Sequence, residues 1–176
     1  MKQTGITVAV SGAFDPLHVG HIRYIREASR LGDRLIVILN TDDFLLKKKG
    51  FVFMPFEERK EILESIKGVY EVVPSIDDDL TVSKTLEKLK PDIFAKGGDR
   101  TGPENIPEAE TCQKIGCRLV TNVGGGKIDL PEKVKDLGNG MVKLRISCPY
   151  CDNHPILREK CLHCKGAGKI EIERRK

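Results

Sequence analysis

No apolar run in this sequence approaches the roughly 20 residues needed to cross a bilayer, and no basic N-terminal segment leads into an apolar stretch. A membrane span and a secretory leader are therefore not expected, and the chain is placed in the cytoplasm. A strong charge of one sign is missing too. The 30 Lys/Arg face 26 Asp/Glu, a formal net charge of +4, too little for a nucleic-acid signature over the whole chain. Internal repeats are absent apart from one doubled Cys-x2-Cys. What is present suits a globular protein: 176 residues with 39% hydrophobic content allow one domain with a real core plus a small appendage.

The charge is unevenly placed. Met141 to Lys176 hold nine Lys/Arg against four Asp/Glu, a net +5, which leaves the preceding 140 residues at −1. The same tail carries Cys148, Cys151, Cys161 and Cys164. In a reducing compartment, Cys-x2-Cys-x9-Cys-x2-Cys points to one structural Zn²⁺ held by four thiolates rather than to disulfides. His154 and His163 are competing ligands, but four paired cysteines already close a tetrahedral site. With the metal bound the tail falls to +3, a solvated, metal-stapled ending in preference to a surface for nucleic acid or an acidic partner. The stretch Cys161 to Lys169 resembles one repeat of the cysteine-rich region of DnaJ-type chaperones. Cys112 and Cys117 read as ordinary buried thiols.

Before the tail, short β-rich runs alternate with amphipathic helical patterns. Ile6 to Val10, Leu35 to Asn40, Glu71 to Val73, Ile93 to Ala95 and Arg118 to Val123 read as strands. Val19 to Leu31, Phe56 to Lys67, Thr81 to Leu89 and Ile106 to Ile115 read as helices, the third stopped by Pro91. A further short helix is expected near Glu132 to Leu137, with Pro131 in its first turn and glycines on either side. Strands separated by helices imply right-handed crossovers and a parallel sheet, with the ligand beyond the carboxyl ends of the strands where strand order reverses.

The stretch Ser11 to His21 follows the first strand and opens the first helix. A glycine turn at a strand end lets a phosphate approach the backbone, and a helix start offers N–H groups and partial positive charge. His18 and His21, three residues apart, fall side by side and are suited to hold nucleotide phosphates. Taken alone, a His-x-x-His also fits a surface helix cap or a zinc pair.

The run Gly12, Phe14, Asp15, His18, Gly20 and His21 closely resembles the signature of the cytidylyltransferase-like family, Gly-x-Phe-Asp-x-x-His-x-Gly-His after strand one. The likeness continues through Gly32-Asp33, Asn40 to Phe44, Lys47 to Lys49, Glu58 to Lys60 and Ile62 to Ile66, as in the glycerol-3-phosphate cytidylyltransferase branch. Lys96-Gly97-Gly98-Asp99 is similar to that branch and to the heptose-phosphate adenylyltransferases. The resemblance implies that His18 and His21 contact the triphosphate, that Gly12, Ala13, Phe14, Asp15 and Gly20 line its site, and that a lysine among Lys47 to Lys49 steadies the phosphates. Gly97, Gly98 and Asp99 are implied in nucleoside recognition, and Arg59 in support of the site. Asp42 is also a candidate cap of a short helix, and a solvated loop is the bland alternative for any one of the lysines.

Two departures matter. Relatives carry a Ser/Thr-rich turn after strand five, whereas Asn122 to Glu132 contains neither. Gly124, Gly125, Gly126 and Lys127 offer a backbone nest in its place. Lys67 and Tyr70 stand where the cytidylyltransferase branch tends to have Arg and Asp.

The expectation is thus a doubly wound, Rossmann-like α/β domain with a five-stranded parallel sheet over residues 1–140 and a zinc-binding tail over 141–176. The implied reaction transfers CMP or AMP from CTP or ATP to a phosphorylated small molecule and releases pyrophosphate, with Mg²⁺ accompanying the nucleotide. His18, His21, Lys47 and Lys49 are the expected catalytic groups, and the resemblance implies a homodimer. The rival from another class is a nucleotide- or nucleic-acid-binding adaptor that has lost turnover, favoured by the missing Ser/Thr turn and the basic tail.

Overall fold

The computed structural model describes residues 5–97 and 106–125 in full, together with the backbone of three later strands. In chain order the first unit runs β1 (Thr7–Gly12), α1 (Val19–Ala28), β2 (Arg34–Leu39), α2 (Asp42–Lys49), α3 (Phe56–Glu64), β3 (Glu71–Pro74), α4 (Ser83–Leu89), β4 (Ile93–Gly97), α5 (Ala109–Ile115) and β5 (Arg118–Val123). The five strands pair in parallel in the order β3-β2-β1-β4-β5. The chain builds outward from β1 to β3, then returns to the other side of β1 with β4. The reversal opens a crevice between the carboxyl ends of β1 and β4, the place where ligands bind in such sheets.

Alternation along the strands sorts the core into two layers. Val8, Val10, Leu35, Val37, Leu39, Ile93 and Ala95 pack with Tyr24, Ile25 and Ala28 of α1 and Leu63 of α3. Ala9, Ile38 and Phe94 face the other way, onto Val82 and Leu86 at α4 and Cys112 of α5. Cys112 and Cys117 are both free and buried, as the sequence indicates. Fully burying each aliphatic side chain stabilises the fold by roughly 1.5–3 kcal/mol, so a double-sided core of this kind accounts for the near-continuous apolar runs of β1 and β2.

One element escaped the sequence reading. Asp42–Lys49, expected as a loop or a short capped helix, forms α2; its cap is Thr41, whose Oγ1 accepts the Phe44 amide at 3.3 Å. Asp42 is instead the first helical residue. Lys47, Lys48 and Lys49 occupy the last turn, where cations complement the helix dipole, and Gly50 closes the helix in the left-handed conformation at φ 78.

Contacts divide the chain into Met1–Lys127 and Ile128–Lys176. In the second unit β6 (Val134–Asp136), β7 (Met141–Ser147) and β8 (Lys169–Arg175) form an antiparallel sheet in the order β6-β7-β8. The helix expected near Glu132 to Leu137 is therefore replaced by a strand at Val134–Asp136, which pairs with Val142–Leu144 of β7. A glycine-bracketed segment of that length is too short to sustain a helix nucleus, and ladder pairing overrides its weak local preference. Of residues 128–140, read from the sequence as part of the first domain, the described strand Val134–Asp136 pairs with β7. Ser147 lies opposite Lys169, which brings the two ends of segment 148–168 onto adjacent strands. Cys148, Cys151, Cys161 and Cys164 lie outside the described residues.

Candidate active site

The turn after β1 carries the first part of the site. Phe14 adopts φ 50, a left-handed conformation that costs a bulky residue about 1–3 kcal/mol and requires support from its surroundings. The support is packing: Phe14 is 2% exposed, and its ring meets His21 edge-on with centroids 5.0 Å apart. A Cβ on Gly12 would come within 3.1 Å of the same ring, a tight contact that the ring would have to yield to.

His18 caps α1: its Nδ1 accepts the Gly20 amide at 3.1 Å. This bond fixes the tautomer, so the proton of the neutral ring sits on Nε2. The rings of His18 and His21 stack with centroids 3.8 Å apart, confirming the side-by-side placement read from their spacing. Burial pushes both pKa values down, that of His21 to about 3 with a further contribution from His18. Both imidazoles are therefore neutral near pH 7 and offer directed N–H donors rather than charge. His21 Nδ1 is buried without a hydrogen-bond partner. The helix-start amides are less open than expected, because Gly20 donates to the His18 ring and His21 to the His18 carbonyl at 2.9 Å.

Positive charge comes from α2. Lys49 Nζ lies 2.6 Å from Asp15 Oδ2 and 3.0 Å from the Asp15 carbonyl, and 4.6 Å from the centroid of the Phe51 ring. Asp15 also accepts the amides of Phe53 at 2.9 Å and Met54 at 2.7 Å, so it anchors the loop after α2 to the turn after β1. Lys47 is not brought to this cluster. Two residues away on the helix it faces elsewhere, and its Nζ donates to the Asp78 carbonyl at 3.3 Å. There it borders a cavity of about 200 Å³ with Thr41, Asp43, Phe44 and the segment Ser75 to Asp79.

Arg59, fully buried, ties these pieces together. Its Nε donates to Met54 O at 2.8 Å, its Nη1 to Ala13 O at 2.7 Å and Asn40 O at 2.8 Å, and its Nη2 pairs with Asp42. A buried guanidinium is tolerable only when saturated in this way, and the result is a clamp joining the turns after β1 and β2. The support role implied by the resemblance matches this geometry.

The far wall is built on Tyr24. Its hydroxyl donates to Ala95 O at 2.6 Å, and burial holds it well above the usual phenol range. Cβ atoms added at Gly97 or Gly124 would approach Tyr24 to 2.8 Å and 2.5 Å. Gly124 also donates its amide to Glu27 Oε2 at 2.7 Å, so that member of the expected nest is already occupied. Gly125, at φ 77, has open space around it. Gly98 and Asp99 lie outside the described residues.

Sequence reasoning missed a polar cluster behind β4. Lys96 Nζ lies 3.1 Å from Ser11 Oγ and 3.3 Å from Glu108 Oε2, and the Glu108 Oε1 accepts the Val82 amide at 3.2 Å. Lys96 stood in the Lys-Gly-Gly-Asp run, but nothing in the sequence marks Glu108. Among the described residues no group of three or more His, Cys, Asp or Glu could hold a metal ion.

Comparison with known proteins agrees with this geometry. The chain is 43% identical over 96 residues to a FAD synthase of Pyrococcus abyssi, covering 54% of this chain and 64% of that protein. It is 39% identical over 115 residues to the bifunctional protein HldE of Nitrosococcus oceani, covering 64% of this chain and 24% of that one. The chain thus spans less than two thirds of the length of these curated relatives. A solved structure, the lipopolysaccharide core biosynthesis protein from Thermoplasma volcanium, superposes with a TM-score of 0.57 at 29% identity, over 67% of this chain and 96% of that one. Residues 9–122, which include the histidine turn, the Lys49–Asp15 pair, the Arg59 clamp and the Tyr24 wall, match the cytidylyltransferase-like model, and the chain belongs to the cytidylyltransferase-like family.

Proposed function

We propose that this protein is a nucleotidyltransferase that moves CMP or AMP from CTP or ATP onto the phosphate of a small acceptor and releases pyrophosphate. The observation that carries the reading is the stacked, neutral His18–His21 pair at the strand-to-helix turn, in the same turn as Asp15, which holds the Lys49 ammonium, and within the residues that match the family. Neutral imidazole N–H groups and one ammonium are the kind of preorganised donors that stabilise charge spreading over phosphoryl oxygens. An acceptor phosphate oxygen attacks the α-phosphate in line, held close by the site. A phosphate monoester is already a nucleophile at neutral pH, so no side chain has to act as base.

Asp15 is occupied by Lys49 and two amides, so the described residues fit a metal that arrives on the nucleotide rather than one held by the protein. Bound in that way, Mg²⁺ would offset the charge of the departing pyrophosphate. The likeness to a FAD synthase favours ATP. We also place one structural Zn²⁺ on Cys148, Cys151, Cys161 and Cys164; the Ser147–Lys169 pairing supports this by drawing the ends of their segment together. A cytoplasmic setting and a homodimer belong to the same reading. No helix among the described residues is long and apolar enough to cross a membrane.

A second reading, a binding adaptor without turnover, is favoured by one observation: the Gly124 amide is engaged by Glu27, where relatives are expected to bind phosphate. Pyrophosphate release, measured with each NTP against a panel of phosphorylated alcohols and sugars, decides between them. Turnover with one pair supports the transferase; nucleotide binding without release from any pair supports the adaptor.

A further inference from the structure

Lys96 and Ser11 lie side by side at the carboxyl ends of β4 and β1, the two strands that flank the crevice. Both side chains sit on the sheet face that carries α4 and α5. Lys96 runs over Phe94, its Nζ 4.8 Å from the ring centroid, and reaches Glu108 just before α5. The histidine pair belongs to the opposite side: α1 packs on the other face, and Gly97, next along β4, turns toward its Tyr24. The two groups of donors thus approach the crevice from opposite faces of one sheet.

The Lys96–Glu108 pair is poorly explained as a stability device. Replacing a buried ion pair with apolar residues is often neutral or favourable. The Lys96 side chain retains 18% exposure while that of Glu108 has 4%. Glu108 Oε2 has no hydrogen-bond partner and faces the Lys96 ammonium as an ion pair at 3.3 Å.

We propose that Lys96 binds the phosphate of the acceptor, with Ser11 beside it and Glu108 as its anchor. This rests on the transferase reading above, which requires two anionic substrates to meet at one crevice. The neutral histidines supply no charge, and Lys49 lies at the nucleotide turn. Lys96 delivers a cation from the other face, where an acceptor must stand to attack the α-phosphate from the side opposite the leaving pyrophosphate. The ligand class is a phosphate monoester.

The test is a binding measurement on the full chain, by ³¹P NMR titration with inorganic phosphate in the presence of a saturating non-hydrolysable ATP or CTP analogue. Because Lys96→Met alone strands a buried carboxylate, the comparison is between Glu108→Gln and the double variant Lys96→Met with Glu108→Gln, both checked by thermal unfolding. The expected result is phosphate binding retained in Lys96→Arg, and at least about tenfold weaker in the double variant than in Glu108→Gln. Affinity for the nucleotide analogue should stay within about twofold throughout. Equal phosphate affinity in the two Glu108→Gln backgrounds, a parallel loss of nucleotide, or no phosphate binding by the wild type overturns the proposal. Phosphate binding that depends on Lys96 without pyrophosphate release from any substrate pair would strike the transferase reading and leave the phosphate site standing.

Discussion

Lys49 reaches back across 34 residues of sequence to place its ammonium 2.6 Å from the carboxylate of Asp15. The side chain of Asp15 is wholly buried while that of Lys49 is 26% exposed, so one partner is enclosed and the other reaches solvent. Lys49→Met removes the charge partner but leaves Asp15 its two amide donors, and should destabilise the protein by about 1–3 kcal/mol in urea unfolding. Nucleotide affinity should fall as well. Lys49→Arg should restore most of the stability; equal destabilisation by both substitutions would show that the pair does not hold the turn.

His18→Ala and His21→Ala are each expected to lower turnover by about 10²-fold or more, the scale of losing a preorganised oxyanion donor, with the fold retained. Steady-state kinetics and circular dichroism check the two halves of that statement.

The depressed pKa of His21 also fixes a pH dependence. The unfolded chain protonates this histidine near its ordinary 6.5, whereas the folded chain resists protonation down to about 3. Within that window the unfolded state binds more protons, so His21 makes stability fall as pH drops from about 6.5 toward 3. His21→Gln should move the acid-unfolding midpoint to lower pH, followed by tryptophan-free fluorescence of tyrosine or by circular dichroism. A midpoint that stays in place would contradict the buried neutral ring.

Gly124 and Gly125 should respond differently to the same methyl group. At Gly124 a Cβ would lie 2.5 Å from the Tyr24 Cα, a backbone clash, and Gly124→Ala should cost more than about 2 kcal/mol. Gly125→Ala meets open space and only the left-handed backbone penalty, about 1 kcal/mol. Thermal unfolding of the two variants orders them.

Protein prepared reduced and without chelator should hold one Zn²⁺ per chain, read by metal analysis. Cys148→Ser or Cys164→Ser should reduce that content to near zero, since three thiolates bind far more weakly than four. The first unit has its own core, so its thermal transition should survive the loss of metal.

The sheet was legible because each strand is a short apolar run between turn signals, and Arg118–Val123 was placed to the residue. Helix ends were less so: the first candidate ran on to Leu31, but α1 closes at Ala28 with Ser29 as its cap. α2 was obscured by its three consecutive lysines, which carry no apolar period; it is held by the Thr41 cap, by burial of Phe44 and Leu45 and by Gly50. At the site, the histidine motif led straight to a stacked pair. Local spacing could not separate Lys47 from Lys49, because what distinguishes them is the distant carboxylate of Asp15. Glu108 was illegible for the same reason, as its partners Lys96 and Val82 are brought to it only by the crossovers.

Tyr24 gives the crevice a mechanical property. Its hydroxyl is bonded to the backbone of β4, and its own backbone is pressed against Gly124 at the end of β5. The helix that presents the histidines is thereby pinned to both strands of the opposing wall. A displacement of α1 would strain the Tyr24–Ala95 bond and the Gly124 contact together, so the helix and the ends of β4 and β5 are held as one unit.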